Sequence, residues 1–377
     1  ANAKNASLLY YAYIFAFDDE NLRAKIYEMI ASIPYKANTF KSIRYIFRTA
    51  HITNDTSFFA ILAKRLALNN PGYSSNYFYD NKGNWVTAEE EMKKPNPSIA
   101  FSGKTKSYFN HTIYKKMYEL SQNDTETYIE YASKILISLN DKEDDVKEEI
   151  VYNYDYDWET QTYNNEQRCY PKYANFPALM YILYGASTRF TQQKNKWYFV
   201  INDTEITTRE EVLAEVWNQK PAAVLAVLAN TKSDVAVDFT LKIIDENPHF
   251  LDNLSIDIIS KLVNHHHSKV ITLIVTVLKT KYADKQPEEH LIIGLLNSGN
   301  EKALELGFYW LLKYEASYFK NEDFIISLLF TNQVEVIALL SQLYQDEVAY
   351  IHKIEIEKLA ALFDENAKFS REFLVAI

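Results

Sequence analysis

The C-terminal part of the chain repeats itself every 33 residues, and this period constrains the fold more than any other feature of the sequence. Leu262, Leu295 and Leu328 recur at that interval, each inside a short apolar segment that a polar turn separates from a longer one. The apolar residues of both segments are three and four positions apart, which predicts a pair of amphipathic helices in each repeat. Because a single helical pair cannot bury its own apolar face, the period predicts pairs that stack on one another.

The scarcity of glycine supports a helical fold. Only 7 of the 377 residues are glycine, whereas all-β and dinucleotide-binding folds need glycine in their turns and phosphate loops. Ankyrin repeats share a period of 33, but their Thr-Pro-Leu-His signature is missing here, so HEAT-like pairs fit better. We therefore predict an all-α fold, a HEAT/armadillo-like α-solenoid of stacked helical pairs, with C-terminal repeats over residues 220–377. A weaker copy of the pattern occurs at Leu225–Val237, and Leu359–Ala376 is expected to be either a final unit or a cap.

Residues 1–145 are also predicted to be helical repeats, with a looser period and a long loop at residues 69–97. We expect N-caps at Asn38 and at Asn54 or Asp55, since such side chains accept hydrogen bonds from the first helical turn. The loop is rich in turn residues and is expected to hold a hairpin at Asp80–Trp85. The apolar spacing predicts helices at Leu8–Phe17, Asn21–Ser32, Phe40–His51, Asp55–Leu68, Tyr108–Gln122 and Asp124–Leu139.

The middle section, residues 146–219, interrupts the helical pattern. It contains the aromatic and acidic strip VYNYDYDWETQTY, an apolar helix at Tyr173–Tyr184 and the segment Arg189–Asp203. That last segment reads as two short strands around a polar turn, the strongest β signal in the chain. We predict a small aromatic-rich insertion with this candidate β-hairpin. Its candidate partner contacts are Tyr154, Tyr156 and Trp158.

The positive charge of the chain is concentrated in its N-terminal third. Residues 23–116 contain 15 Lys and Arg against 6 Asp and Glu, although the whole chain has a formal net charge of −10. Lys41, Arg44 and Arg48 are three and four residues apart, so they share one face of a predicted helix. Aromatic residues lie between the later cations, a composition that can grip a phosphate backbone and stack on bases. The candidate contacts with nucleic acid or another partner are Lys41, Arg44, Arg48, Lys64, Arg65, Lys104, Lys106, Lys115 and Lys116.

The same cations have a second interpretation. They can pair with the acidic remainder of the chain, or stabilise helix C-termini, as Lys64 and Arg65 would. The net negative charge of the chain favours this interpretation, because nucleic-acid-binding proteins usually show a dominant basic face. The two interpretations differ in one observable, which is whether the cations line an exposed groove or meet acidic neighbours.

No motif in the sequence predicts catalysis, a cofactor or a metal. Ser98–Thr105 ends in Gly-Lys-Thr like a phosphate-binding loop, but the leading glycine and a preceding strand are missing, so we interpret it as a basic loop before a helix. His265–His267 fill a polar repeat turn, and the carboxylates near Asp141 and Asp155 lack the glycine of a calcium loop. Cys169 has no histidine within 50 residues, which argues against a nucleophilic role.

The terminal and apolar segments predict a cytoplasmic protein without membrane association. The single cysteine excludes an intramolecular disulfide and fits a reducing compartment. The first residues lack the regions of a signal peptide, and the apolar run Ala222–Ala229 is too short to cross a bilayer. The missing initiator methionine suggests a processed chain or a part of a longer protein.

Four segments resemble the helical region of a family of large bacterial proteins. They are Phe40–Ala50 (FKSIRYIFRTA), Ala100–Phe109 (AFSGKTKSYF), Ile182–Gly185 (ILYG) and Trp217–Leu228 (WNQKPAAVLAVL). In that order they are similar to the proteins that pair a WGR domain with HEAT-like repeats, some of them named molybdate metabolism regulators. The resemblance implies an α-solenoid with a binding or regulatory role, and it supplies no catalytic residues. The chain departs from that family because none of its five tryptophans is followed by Gly-Arg.

The predicted function is a non-catalytic interaction scaffold. Its helical-repeat surface and tyrosine-rich middle section are expected to bind a protein or peptide, because solenoids offer long surfaces. The first alternative is a nucleic-acid-binding module that uses residues 23–116, and the second is an enzyme with a site around the middle insertion. The sequence indicates neither a small-molecule ligand nor a cofactor.

Overall fold

The fold is known from a computed structural model, which describes residues 3–69, 77–79, 82–95, 97–193, 196–201, 209–331 and 333–345. It is mostly helical, with 66% helix and 19 helices in the described residues. This confirms the predicted helical character. A four-stranded antiparallel sheet, however, gives the chain more β-structure than the all-α prediction allowed. The chain divides into two compact units, Ala1–Asn247 (unit 1) and Pro248–Ile377 (unit 2).

Unit 1 begins with a set of helices that matches the prediction closely. The six helices predicted in residues 1–145 correspond to α1–α4, α6 and α7. Their bounds, with those of the other helices of the unit, are α1 Ala3–Phe15, α2 Glu20–Ser32, α3 Ala37–Thr53, α4 Thr56–Leu68, α5 Ala88–Lys93, α6 Gly103–Asn123, α7 Thr125–Ser138, α8 Asp141–Asp144, α9 Pro177–Tyr184, α10 Ala214–Trp217, α11 Pro221–Asn230 and α12 Asp234–Glu246.

An aromatic core holds the N-terminal helices of unit 1 together. α1 packs against α3, α2 packs against α4, and α4 packs against both α6 and α7. The ring of Phe40 stacks on that of Phe101 with 4.6 Å between centroids, and Phe47 meets Phe109 edge-on at 4.4 Å. All four rings are buried, and burial of a ring of this size stabilises the fold by about 1.5–3 kcal/mol. Phe40 and Phe47 place one side of α3 in this core, whereas Lys41 and Arg48 on the same helix are exposed.

The helix starts show where N-cap prediction succeeds and where it fails. Asp55 is the N-cap of α4, because its carboxylate accepts a hydrogen bond from the backbone N–H of Phe58 at 3.0 Å. Asn54 instead ends α3 in the left-handed conformation, with a φ of 52° that asparagine tolerates. The predicted N-cap at Asn38 is wrong. The hydroxyl of Thr39 closes the first turn, and α3 already begins one residue before Asn38.

The predicted loop at residues 69–97 contains a short hairpin and a helix. β1 (Tyr77–Tyr79) pairs antiparallel with β2 (Trp85–Thr87), on either side of the predicted turn. α5 follows directly and was not predicted. It begins with a capping box, in which the hydroxyl of Thr87 accepts from the N–H of Glu90 at 3.1 Å while the Glu90 carboxylate accepts from the N–H of Thr87 at 2.8 Å. The spacing Thr-x-x-Glu is therefore the sequence signal of this helix.

The middle section folds as a sheet with the strand order β3-β4-β6-β5. Its last two strands confirm the pair predicted within Arg189–Asp203. β3 and the start of β4 come from the strip VYNYDYDWETQTY, which was not predicted to form strands. The predicted helix at Tyr173–Tyr184 starts four residues late, at Pro177. The strand bounds are β3 Glu149–Asp157, β4 Thr162–Tyr170, β5 Phe190–Gln193 and β6 Lys196–Val200.

The last helices of unit 1 pack against its N-terminal helices and form hydrogen bonds with them. α11 packs against α7 and α12, and the hydroxyl of Thr231 donates to the carbonyl of Leu136 at 3.0 Å. The ammonium of Lys172 pairs with Asp141 at 2.9 Å and with Asp234 at 3.1 Å. The compact boundary therefore follows residue 247, whereas the sequence placed the start of the C-terminal repeats at residue 220.

Unit 2 is built from helical pairs at the predicted positions. Leu262, Leu295 and Leu328 lie in the first helix of successive pairs and are buried, as are the residues eight positions later in the second helices. The predicted final unit or cap, Leu359–Ala376, lies outside the described residues. After a 3-10 turn at Pro248–Leu251, the helix bounds are α13 Ile256–Val263, α14 Ser268–Lys281, α15 Glu289–Asn297, α16 Glu301–Lys313, α17 Glu315–Tyr318, α18 Glu322–Phe330 and α19 Val334–Gln345.

Neighbouring pairs of unit 2 pack against one another. α13 contacts both α14 and α15, α15 contacts α16 and α18, and α14 contacts α16. A glycine allows one close approach between helices: a Cβ atom added at Gly307 in α16 would lie 3.2 Å from the Cβ of Leu295 and from a methyl carbon of Leu296. The paired helices therefore cover their apolar faces both within a pair and against the neighbouring pair.

The histidine run lies in the turn between α13 and α14 and serves the helix start. His267 is the N-cap of α14, because its Nδ1 accepts from the N–H of Lys269 at 3.2 Å. The Nδ1 of His265 accepts from the N–H of His267 at 3.1 Å. Asn300 lies 33 residues after His267 and caps α16 by accepting from the N–H of Lys302 at 3.1 Å. The prediction of a polar repeat turn fits this arrangement.

His267→Asn is expected to preserve the cap of α14, because asparagine already performs this role at residue 300. His267→Ala should remove it and lower the free energy of unfolding by about 1 kcal/mol. Urea denaturation followed by circular dichroism measures the difference. Equal stability of the two variants would contradict the capping role.

Candidate functional site

A groove lined by cations lies in unit 1, where α3, α5 and the start of α6 meet. It consists of two cavities of about 630 and 320 Å³. Arg44, Arg48 and Met92 line both cavities, so the two are adjacent. We call it the basic groove, and its cationic lining residues are Lys41, Arg44, Arg48, Lys93 and Lys104.

α3 supplies three of these cations from one side. Lys41, Arg44 and Arg48 are three and four residues apart, and all three line the groove. The other side of α3 carries apolar residues such as Ile43 and Ala50, which are fully buried. Because the apolar side must be covered by neighbouring helices, the amphipathic pattern of α3 turns its cations outward.

α5 supplies Lys93, which was not singled out from the sequence. The segment after α5 is held by the buried Glu91, whose carboxylate accepts from the N–H of Ser98 at 2.7 Å and pairs with Lys94 at 2.6 Å. These bonds fix α5 against the entrance of α6, so that Met92 and Lys93 line the groove. The capping box at the start of α5 is the sequence signal for this helix, and the prediction did not use it.

The N-terminus of α6 opens at the groove. Ser102 is the N-cap, since its hydroxyl accepts from the N–H of Thr105 at 3.2 Å. The partial positive charge of the helix N-terminus adds to that of Lys104. No strand occurs between α5 and α6 in the described residues. The segment Ser98–Thr105 is therefore not a strand-loop-helix phosphate motif, and its interpretation as a basic loop before a helix is confirmed.

Arg44 is a cation in unfavourable surroundings. Its guanidinium lies over the ring of Phe40, 5.4 Å from the centroid, and its Nε is buried without a hydrogen-bond partner in the described part of the chain. Burial lowers the pKa of Arg44, and the nearby charge of Arg48 lowers it further. Both effects disfavour the charged form, yet an arginine stays charged at neutral pH. An anion bound in the groove would supply the missing partner.

The groove as a whole has an excess of positive charge. Within the described ranges, no ion pair joins any of its five cations to a carboxylate, and Glu89 is the acidic residue among those that line it. Cations next to low-dielectric walls raise the local concentration of anionic ligands. Tyr45 and Tyr108 also line the groove, and they are 42% and 62% exposed. Their rings are thus accessible for stacking.

Two of the other predicted cations are part of the fold. The guanidinium of Arg65 donates to the carbonyls of Ile30 and Ile33, both at 2.6 Å, at the C-terminal end of α2. The ammonium of Lys64 pairs with Asp144 at 2.9 Å, and both side chains are mostly buried. These contacts match the second interpretation of the basic third, in which cations meet helix C-termini or acidic neighbours.

The remaining three predicted cations also have partners. Lys106 donates to the backbone carbonyl at the end of α4 at 3.0 Å, and burial lowers its pKa. Lys116 donates to the side chain of Asn54 at 2.6 Å, and Lys115 lies 3.6 Å from the carboxylate of Glu119. The nine predicted cations therefore divide into four that line the groove and five that have partners within unit 1.

The predicted aromatic contacts belong to the β3–β4 hairpin and do not line the basic groove. Tyr154 and Tyr156 lie in β3, and Trp158 follows its last residue. Tyr154 is 66% exposed and Trp158 is 83% exposed. The ring of Tyr156 lies 4.8 Å from that of Trp158 and 4.9 Å from that of Tyr163. The structure thus contains two separate candidate surfaces in unit 1.

Cys169, Asp141 and Asp144 take part in the packing of unit 1. Burial raises the pKa of the Cys169 thiol to about 11, and the negative charge of Glu148 contributes, so the nucleophilic thiolate is scarce at neutral pH. Asp141 and Asp144 each accept a hydrogen bond from the hydroxyl of Tyr173 at 2.9 Å. In the described residues, no three His, Cys, Asp or Glu side chains are grouped to hold a metal ion.

Comparison with known proteins leaves the family open. No protein-family model, no curated protein and no solved structure matches the chain. The resemblance to the WGR-domain proteins therefore stays a prediction. Among the helices of the described ranges, none combines the length and apolar character needed to cross a membrane.

Substitution of Arg44 and of Arg65 tests whether each arginine serves binding or stabilises the fold. Arg44→Met should leave the free energy of unfolding unchanged or raise it by up to about 1 kcal/mol, because it removes a buried, repelled charge and keeps the cover over Phe40. Arg65→Met should lower it by about 2 kcal/mol, because two carbonyls lose a charged donor. Chemical denaturation measures both, and a large loss of stability in Arg44→Met would assign Arg44 to the fold.

Proposed function

We propose that the protein acts by binding, without catalysis, and that its basic groove holds single-stranded nucleic acid. The observation that carries this proposal is the convergence of five cations that lack ion pairs in the described residues. A positively charged groove with exposed aromatic rings is the arrangement that follows a phosphate backbone and stacks on bases. Tyr45 and Tyr108 provide such rings.

A single strand suits the groove better than a duplex. The cations line a cavity between helices, and a flexible strand can enter it with its bases turned toward the tyrosines. A duplex would need a broad basic surface, whereas the chain outside residues 23–116 carries an excess of Asp and Glu.

The salt dependence of binding tests the groove. If about four phosphates are neutralised, affinity for a labelled oligouridylate should fall roughly 50-fold between 50 and 200 mM salt, because condensed counterions are released. The triple variant Lys41→Gln, Arg44→Gln, Arg48→Gln should reduce the slope of log K against log salt concentration by about 2. Fluorescence anisotropy measures both quantities.

The matched control is the triple variant Lys115→Gln, Lys142→Gln, Lys147→Gln. It removes the same net charge from exposed positions of unit 1 that do not line the groove. Its salt slope should equal that of the unchanged protein. Equal slopes for the two triple variants, or no binding of DNA or RNA at low salt, would reject the proposal. Binding of a phosphorylated peptide in place of nucleic acid would also reject it.

A protein or peptide partner is the second candidate. The observation that favours it is the exposure of aromatic side chains on the β3–β4 hairpin, which include Tyr154 and Trp158. Large aromatic rings supply much of the contact energy in protein interfaces, and soluble proteins seldom expose them in groups without use.

We also propose that the helical pairs of unit 2 are units of an α-solenoid. The support is that residues 33 positions apart are buried in equivalent helices, and that each pair packs against the next. In a solenoid, every unit contacts its neighbours through equivalent surfaces. Removal of one complete unit should therefore leave the flanking units able to pack.

Deletion of residues 289–321 tests this architecture, since both α15 and α18 begin directly after a cut site. The shortened chain should stay monomeric and helical and unfold cooperatively. Deletion of residues 289–305 removes half a unit. It should abolish cooperative unfolding, because the remaining part of that unit no longer has a complete apolar face to pack against its neighbours. Circular dichroism and sedimentation compare the two. Equal disruption by both deletions would argue for a non-repetitive core.

A further inference from the structure

The β3–β4 hairpin extends past the rest of its sheet. β3 pairs with β4 along its whole length, from Glu149 opposite Tyr170 to Asp157 opposite Thr162. By contrast, β4 pairs with β6 near its C-terminal end, at residues 168 and 169. A two-stranded ribbon contributes little stability of its own in water. The outer part of the hairpin is therefore better explained by contact with a partner than by a role in the core.

β3 forms one edge of the sheet. It is the first strand in the order β3-β4-β6-β5 and is nine residues long. One side of its backbone has no neighbouring strand in the described ranges, so its N–H and C=O groups can pair with an added chain. Natural edge strands are usually short or protected when they are not used for such pairing.

The hairpin presents aromatic side chains next to that edge. Tyr152 and Tyr154 are two residues apart, so they share a face of β3, and they are 61% and 66% exposed. Trp158 and Tyr163, near the tip, are 83% and 69% exposed. The faces of such rings attract cations, with about 0.5–1 kcal/mol per contact at exposed sites.

The negative charge of β3 and its flanking residues favours a positively charged partner. Residues 148–159 contain five Asp and Glu and no Lys or Arg. One of these carboxylates, Glu149, lies 3.8 Å from Lys196, while Arg168 on the neighbouring strand pairs with Glu166 at 3.1 Å. A second copy of β3 on this edge would bring like charges together, which disfavours self-pairing. A strand with Lys and Arg would be attracted.

We propose that the free edge of β3 binds an extended peptide segment rich in Lys and Arg from a partner protein, by addition of a fifth strand to the sheet. Main-chain hydrogen bonds supply affinity, while carboxylates and tyrosine rings select cationic side chains. This inference rests on the second candidate function and is independent of the basic groove.

Hydrogen exchange with a synthetic peptide of alternating lysine and valine tests the addition. At saturation, exchange of β3 amides should slow at least tenfold, while amides of β5, the opposite edge of the same sheet, should not change. A lysine–glycine peptide has the same charge but a weak tendency to form strands, and a glutamate–valine peptide has the opposite charge. Neither should protect β3.

Side-chain variants test the same surface without disturbing the core. Tyr152→Ser with Tyr154→Ser should weaken binding of the lysine–valine peptide at least tenfold by calorimetry. The matched pair Tyr11→Ser with Tyr309→Ser, which replaces tyrosines of 55% and 56% exposure elsewhere, should bind it normally. The triple groove variant should also bind it normally, so failure of the groove proposal is distinguishable. Protection of β5, equal binding of the glutamate–valine peptide, or self-association through β3 in sedimentation would overturn the inference.

Discussion

Burial of the apolar faces of short helices is the interaction on which the rest of the molecule depends. In unit 2 the paired helices include α13 with 8 residues and α14 with 14 residues, and helices of this length are marginal in water on their own. They persist because each is covered by its neighbours. In unit 1 the same requirement fixes the rotation of α3, whose aromatic residues Phe40 and Phe47 enter the core. Every exposed feature of α3 follows from that orientation.

The two kinds of arginine in unit 1 illustrate the consequence. Arg65 donates to two backbone carbonyls at the C-terminal end of α2, so its charge is used within the fold. Arg44 lies on the outward side of α3, half-buried beside Arg48, and its Nε is buried without a partner in the described residues. A buried nitrogen without a partner disfavours the folded state. An anion bound in the groove would supply that partner.

Unit 1 thus carries two surfaces of opposite character. We propose the basic groove as the surface for a ligand with phosphates, and the edge of β3, next to exposed tyrosines, as the surface for a cationic strand. The net charge of −10 indicates neither surface, because it is the sum of a basic N-terminal third and an acidic remainder. Local charge, and not the total, decides which partner each surface can accept.

The sequence by itself determined the features that depend on neighbours along the chain. Helix positions, a cap at Asn54 or Asp55 and the 33-residue spacing are local, because side-chain period and capping are read within a few residues. β3 was missed although Tyr152 and Tyr154 alternate with polar residues, since its carboxylates disfavour strands. Only the tertiary structure decided which cations form a site. Lys93 and Lys104 reach the cations of α3 across long stretches of chain, and that meeting depends on how the helices pack around the aromatic core.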